Sequence, residues 1–307
     1  MSPQRKRSRR GGRGRGKKRS REEEESSPSG VVRFEWNPKS NEKKPIENLP
    51  IYEFGNGESP EAYKSLHDVW KKAKSMNEAI QEPSRIQKHV WSMLLDDKGH
   101  ENAIIIAPTA SGKTFSYALP LISSPSCAVL VVVPTRELAQ QVADMSPRHG
   151  ALKVQAWYGG KPLPTQPLAP PFLVCSTPGR LEHVIRETTV IESVHTVVLD
   201  EADKLAVSSE LASPISSTLE KLRPKKMILA SATWEAGATK QWEKWLGPGL
   251  VYVCQLDTLE LEGRRKRQTE SDEAGDSVAP SIKATVCRVP DHVIQTVHVC
   301  SSHKKPK

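Results

Sequence analysis

The chain has 307 residues, 26% of them charged, and a formal net charge of +9. That length allows one large domain or two small ones. No run of about 18 apolar residues is present to span a membrane, and no apolar stretch follows the basic N-terminus as a secretory leader would require.

The charge is uneven. Residues 5 to 21 hold eleven Lys or Arg, so removing them from +9 leaves −2 for the remainder. "RRGGRGRGKKRSR" followed by "EEEESSPSG" has almost nothing to bury, and residues 1 to 30 are expected to be disordered. The Arg/Gly tract is similar to tails that contact RNA, and a nuclear-import or solubilising role suits it equally. Residues 31 to 62 are polar, with isolated aromatics such as Phe34, Trp36 and Tyr52, and read as a poorly ordered linker.

From about residue 63 strands and helices alternate. Short β-branched runs at 103–107, 128–133, 172–175, 196–199, 227–231 and 251–254 predict strands covered on both faces. Helix-like stretches at 113–122, 135–146, 179–187, 209–222 and 235–246 lie between them. This is the pattern of an α/β domain with a mainly parallel sheet, in which ligands sit beyond the C-terminal ends of the strands. Residues 63–255 are assigned to that domain. The charged stretch 261–281 reads as a flexible insertion within 256–307, and 292–300 as one further strand before a basic end. The cysteines at 127, 175, 254, 287 and 300 form no CxxC pair and read as reduced, intracellular packing thiols.

Two stretches carry chemistry. "APTASGKT" (107–114) follows one strand and opens a helix, the context of a phosphate-binding loop. Lys113 would reach the β- and γ-phosphates, and the Thr114 hydroxyl would sit on Mg2+. The strict glycine pattern is not met, because Ala107 and Ala110 stand where glycines are usual. "VVLDEADKL" (197–205) sends an aliphatic strand into three acids. Acids are favoured at a helix N-terminus in any case. At a strand end beside a phosphate loop, Asp200 also suits Mg2+, and Glu201 suits orienting an attacking water.

Further motifs follow in a fixed order: "PTREL" at 134–138, "GG" at 159–160, "TPGRL" at 177–181, "DEAD" at 200–203 and "SAT" at 231–233. With the loop at 107–114, this ordered set resembles the first domain of a DEAD-box ATP-dependent RNA helicase of superfamily 2, over about residues 70 to 255. The resemblance implies a RecA-like P-loop NTPase domain that uses ATP and Mg2+. It implies a nucleotide cradle of Ala107, Pro108, Thr109, Ala110, Ser111, Gly112, Lys113 and Thr114, with Mg2+ on Thr114 and Asp200. "EPSRIQ" (82–87) is similar to the family's adenine-recognition motif, which implies Arg85 and Gln87 at the nucleotide and Trp70 stacking on the base. Catalytic roles fall to Lys113, Asp200, Glu201 and Asp203, with Ser231 and Thr233 hydrogen-bonding the DEAD acids. Sequence-independent contacts to the RNA backbone fall to Pro134, Thr135, Arg136, Gly159, Gly160, Thr177, Pro178, Gly179 and Arg180. Thr135 and Thr177 could equally be helix caps.

The resemblance includes no second helicase domain within 307 residues. The expected function is therefore the ATP-binding half of an RNA helicase, or alternatively a catalytically incomplete module that binds RNA and ATP. The basic tail adds contacts to RNA or to an import receptor, and a nuclear or nucleocytoplasmic location is expected.

Overall fold

The computed structural model describes residues 31–46, 61–76, 82–95, 102–148, 150–191 and 193–256. In chain order its elements are β1 (Val31–Asn37), β2 (Glu42–Pro45), α1 (Glu61–Met76), α2 (Arg85–Leu95), β3 (Asn102–Ile106), α3 (Lys113–Ile122), β4 (Ala128–Val132), α4 (Arg136–Met145), β5 (Lys153–Trp157), β6 (Phe172–Ser176), α5 (Pro178–Glu187), β7 (Thr196–Asp200), α6 (Ala202–Val207), α7 (Ser209–Leu222), β8 (Lys226–Ser231), α8 (Ala236–Leu246) and β9 (Val251–Leu256).

The nine strands form one sheet in the order β2-β1-β9-β3-β8-β7-β4-β6-β5. From β9 to β5 every neighbouring pair is parallel. β3, β4, β6 and β7 are buried along nearly their whole length, as unbroken aliphatic runs require when both faces are covered. Side chains alternate between two cores. Ala103 and Ile105 face α1 to α4, packing with Leu66, Val90, Trp91 and Leu119. Ile104 and Ile106 face α5 to α8, with Leu181, Leu205, Ile215 and Trp242. Each such aliphatic, taken fully out of water, contributes on the order of 1.5–3 kcal/mol. Cys127, Cys175 and Cys254 are buried in these layers as free thiols, and burial pushes Cys127 and Cys254 up to about 12. No helix among the described residues is long and apolar enough to cross a membrane.

The linker expectation for 31–62 is overturned over 31–46. β1 pairs antiparallel with β9, Val31 opposite Leu256 and Trp36 opposite Val251, and β2 folds back on β1. The reason lies in tertiary packing. Only Val31, Phe34 and Trp36 of β1 are buried, too sparse a set to read as a strand, yet Trp36 is fully enclosed. Its ring meets Trp234 edge-on at 5.2 Å, Trp234 meets Trp242 at 5.8 Å, and the Lys43 ammonium lies 4.9 Å over Trp234. β5 escaped notice because "KVQAW" has no apolar run and forms the opposite edge. The tail 1–30, the insertion 261–281 and the strand expected at 292–300 lie outside the described residues.

Removing the enclosed indole tests the hairpin. Trp36→Ala is expected to cost about 3–5 kcal/mol, as large-to-small changes at buried aromatics do. Urea unfolding followed by circular dichroism should show the lower midpoint. An unchanged midpoint would return 31–46 to the status of a linker.

Candidate functional site

Parallel strands place all their C-terminal ends on one edge. β3 delivers Ala107 there, β4 Pro134 and Thr135, β5 Gly159 and Gly160, β6 Thr177, β7 Asp200, and β8 Ser231 and Thr233. Motifs spread over more than a hundred residues of chain thus meet along one line.

The loop after β3 is anchored at its base by the Ala107 N–H, which donates to the Ser231 carbonyl at 3.1 Å. Ala110 and Gly112 both take the left-handed conformation, at φ +60° and +90°. Such turns converge backbone N–H groups on an anion. The Ser111 hydroxyl is buried and has no hydrogen-bond partner among the described residues, so a donor stands ready in the cradle. Lys113 donates to the carbonyls of Ala107 at 2.6 Å and Pro108 at 3.1 Å, which folds its ammonium over the loop.

Gln87 is 5% exposed and locks this loop to the start of α2. Its Nε2 donates to the Gly112 carbonyl at 3.1 Å, and its Oε1 accepts from the Ser84 N–H at 2.9 Å. The Ser84 hydroxyl donates to the Ser111 carbonyl at 2.9 Å. One donor and one acceptor of the Gln87 amide are therefore engaged, leaving one of each proton and lone-pair direction for a base edge. Arg85 opens α2 with an exposed side chain. Trp70 corrects the stacking expectation. It is 4% exposed, packs edge-on against Trp91 at 5.4 Å, and belongs to the core under α1, so it offers no open face to a base.

Asp200 is 7% exposed at the end of β7. The Tyr117 hydroxyl donates to its Oδ2 at 2.6 Å and the Glu201 N–H to its Oδ1 at 2.9 Å. Burial pushes the Asp200 carboxyl above its ordinary value, while Tyr117, the Glu201 N–H and the nearby Lys113 charge pull it back. Burial likewise drives the Tyr117 phenol well above its ordinary value, helped by the Asp200 charge. A buried carboxylate and a hydroxyl are hard oxygen donors, the set that suits Mg2+. Tyr117 was missed from the sequence, although its position three residues after Thr114 puts both on one helix face.

Glu201 caps α6 in the left-handed conformation, φ 53°, and its carboxylate pairs with Lys204 at 2.8 Å. Lys204 is mostly exposed, and such surface pairs are weak. Thr233 donates to Asp203 Oδ2 at 3.0 Å. Ser231 corrects the other half of that expectation: its hydroxyl donates to the Thr233 carbonyl at 2.8 Å and accepts from the Thr233 N–H, closing its own turn instead of reaching an acid.

A groove of about 630 Å³ opens past the ends of β4, β5 and β6. Pro134, Thr135, Arg136, Gly159, Thr177, Gly179 and Arg180 line it, joined by Glu137 of "PTREL", which was assigned no role, and by His183, which lies outside the motifs. Gly160 lies exposed next to Gly159, and Pro178 is buried in the first turn of α5. Thr135 accepts from the Leu138 N–H and caps α4, whereas Thr177 makes no side-chain cap bond. The Arg136 guanidinium lies over Gly159 so closely that a Cβ there would stand 3.1 Å from it. Arg180 donates to the Lys161 carbonyl through Nη2, and its buried Nε has no partner among the described residues.

Gly112 meets two demands at once: a φ of +90° and close approach of the Gln87 amide, which any Cβ would overlap. Gly112→Ala is expected to cost at least the ~1–2 kcal/mol of a left-handed L-residue. Thermal unfolding should show the loss. An unchanged melting temperature would mean the loop relaxes freely and is not held by Gln87.

A family model described as "DEAD/DEAH box helicase" matches residues 84–241, which is 158 of the 307 residues. Among curated relatives, an Arabidopsis thaliana protein named DEAD-box ATP-dependent RNA helicase 5 is 32% identical over 57% of this chain and 36% of its own length. A probable ATP-dependent RNA helicase of Methanocaldococcus jannaschii is 33% identical over 56% of this chain and 49% of its own. The chain thus spans between about a third and a half of the length of these relatives. Among solved structures, a DEAD box protein from Methanococcus jannaschii aligns with a TM-score of 0.51 at 28% identity, covering 64% of this chain and 55% of that one. The yeast splicing factor Prp28 shares the fold, with a TM-score of 0.52 at 20% identity over 74% of this chain and 60% of that one. With the family model covering more than half of its residues and the motifs gathered at one sheet edge, the chain belongs to the DEAD/DEAH box helicase family.

Proposed function

We propose that this chain binds ATP with Mg2+ and, beside it, the sugar–phosphate backbone of RNA, and that it supplies the nucleotide-binding half of an ATP-dependent RNA helicase cycle. The observation that carries the reading is the union of the β3 loop, with its partnerless buried Ser111 hydroxyl, and Asp200, whose carboxyl feels the Lys113 charge. Lys113 exchanges its two carbonyl partners for phosphate oxygens, and the loop N–H groups take the rest. Mg2+, when bound, neutralises phosphate charge, with Thr114 and Asp200 as the residues that would hold it. Glu201 swings from Lys204 to orient the water that attacks the γ-phosphorus as its bond to the ADP oxygen breaks. Gln87 turns its remaining donor and acceptor to the adenine edge. Thr233 and Asp203 tie the nucleotide edge to the turn bearing Trp234 and, through it, to β1. Arg136, Arg180 and the Thr177 hydroxyl face one groove, a chemistry that suits phosphates and ignores base identity. Yeast Dbp5, which shares this fold at 21% identity, has been solved with RNA and ADP BeF3.

The second reading is a module that binds both ligands without turnover. The Lys204–Glu201 pair favours it, since it occupies the carboxylate needed for water. The Arg/Gly tail is proposed to add RNA contacts, and with import receptors to set a nuclear or nucleocytoplasmic location, which tracking the chain with and without residues 1–30 in cells tests.

Steady-state turnover separates the two readings. The helicase reading expects slow, Mg2+-dependent ATP hydrolysis that single-stranded RNA stimulates and Glu201→Gln abolishes while ATP still binds. Tight Mg·ATP binding with no RNA-stimulated turnover supports the module. Repeating the RNA titration across salt with a chain starting at Val31 tests the tail, since each phosphate neutralised on a single strand contributes about −0.7 to the slope of log K against log salt. Equal slopes would remove the tail from RNA binding.

A further inference from the structure

Tyr117 is wholly enclosed, and its ring belongs to the core between α3 and the sheet. Packing alone calls for a phenylalanine there, because a buried hydroxyl costs free energy unless it is hydrogen-bonded. The hydroxyl is bonded, to a group 83 residues away, donating to Asp200 Oδ2 at 2.6 Å. The phenol therefore holds one of the side chains that offer oxygens to Mg2+, from the helix that carries the other, Thr114.

The join has a geometric consequence. A carboxylate can rotate about its last bond, and one on a strand end has room to do so. Asp200 has both oxygens engaged, Oδ2 by Tyr117 and Oδ1 by the Glu201 N–H, so its plane is set. Each oxygen keeps a lone pair pointing away from these donors. Thr114 lies three residues before Tyr117 on α3, so the bond from the phenol to Asp200 ties the helix that carries Thr114 to the end of β7. Groups that orient metal ligands in this way commonly change metal affinity about 10- to 100-fold when removed.

We propose that Tyr117 is a positioning residue for the metal–nucleotide centre: its hydroxyl presets the Asp200 carboxylate so that Mg2+ binds without reordering it. The proposal rests on the reading of this edge as a Mg2+-nucleotide site. It concerns the metal dependence of binding, not the binding of the nucleotide's base or sugar.

Tyr117→Phe keeps the ring and removes only the oxygen. In the full chain, binding of fluorescently labelled ADP is titrated with Mg2+, and in parallel with EDTA. The Mg2+ concentration for half-maximal binding should rise about tenfold or more, while affinity in EDTA stays within about twofold. In an Asp200→Asn background the same change should have no further effect on the Mg2+ requirement, because coupling through a shared partner disappears with that partner. An unchanged Mg2+ requirement overturns the proposal. So does an equal loss of affinity in EDTA, or failure of Tyr117→Phe to fold, since the hydroxyl would then serve the fold. An effect undiminished in the Asp200→Asn background also overturns it, because Tyr117 would then act elsewhere. If the unsubstituted chain shows no Mg2+-dependent binding at all, the functional reading itself falls, an outcome distinct from each of these.

Discussion

A carboxylate at the end of an apolar strand is the constraint around which this edge is arranged. Val197, Val198 and Leu199 are at most 1% exposed, and the same burial continues onto Asp200. An unpaired charge in that position would be expelled or neutralised. It is held instead by the phenol hydroxyl of Tyr117 and the field of Lys113, both from α3, and by the N–H of the next residue, Glu201. Low exposure at this strand end strengthens the interaction of Asp200 with a nearby cation, as with Lys113 here.

The rest of the edge is built from short links between neighbouring motifs. Gln87 and Ser84 tie the start of α2 to the loop after β3. Ala107 ties that loop to Ser231 at the end of β8. Thr233 ties β8 to Asp203 in α6. Trp234, the next residue, sits in the aromatic cluster that the β1–β2 hairpin closes with Trp36 and Lys43. These contacts form an unbroken chain from the hairpin to the acids, although the two lie far apart in sequence.

The sheet was largely legible in the sequence because central parallel strands must be apolar on both faces, and α3 and α7 begin and end where their periodicity placed them. The edge strands were not. β1 and β5 bury few residues and draw their order from pairing, which one segment cannot reveal. The same division holds at the site. The gathering of Lys113, Asp200 and Thr233 at one sheet edge was readable because motif order fixes which strand end carries each. Trp70 was misread, because an aromatic at the right spacing does not declare whether its ring faces a ligand or the core. Ser231 was misread because a serine beside a threonine can close its own turn. Tyr117 was invisible: its hydroxyl matters only because folding brings it to a carboxylate 83 residues away.

We propose that the β3 loop and Asp200 form one Mg2+-dependent nucleotide site. The most direct test is equilibrium binding of ATP with Mg2+ to the full chain and to Lys113→Ala, with melting temperatures measured for both without nucleotide. Saturable binding is expected for the former, a loss of at least about tenfold in the latter, which is about 1.4 kcal/mol, and a folded protein in each case. Equal affinity in two folded proteins would contradict it.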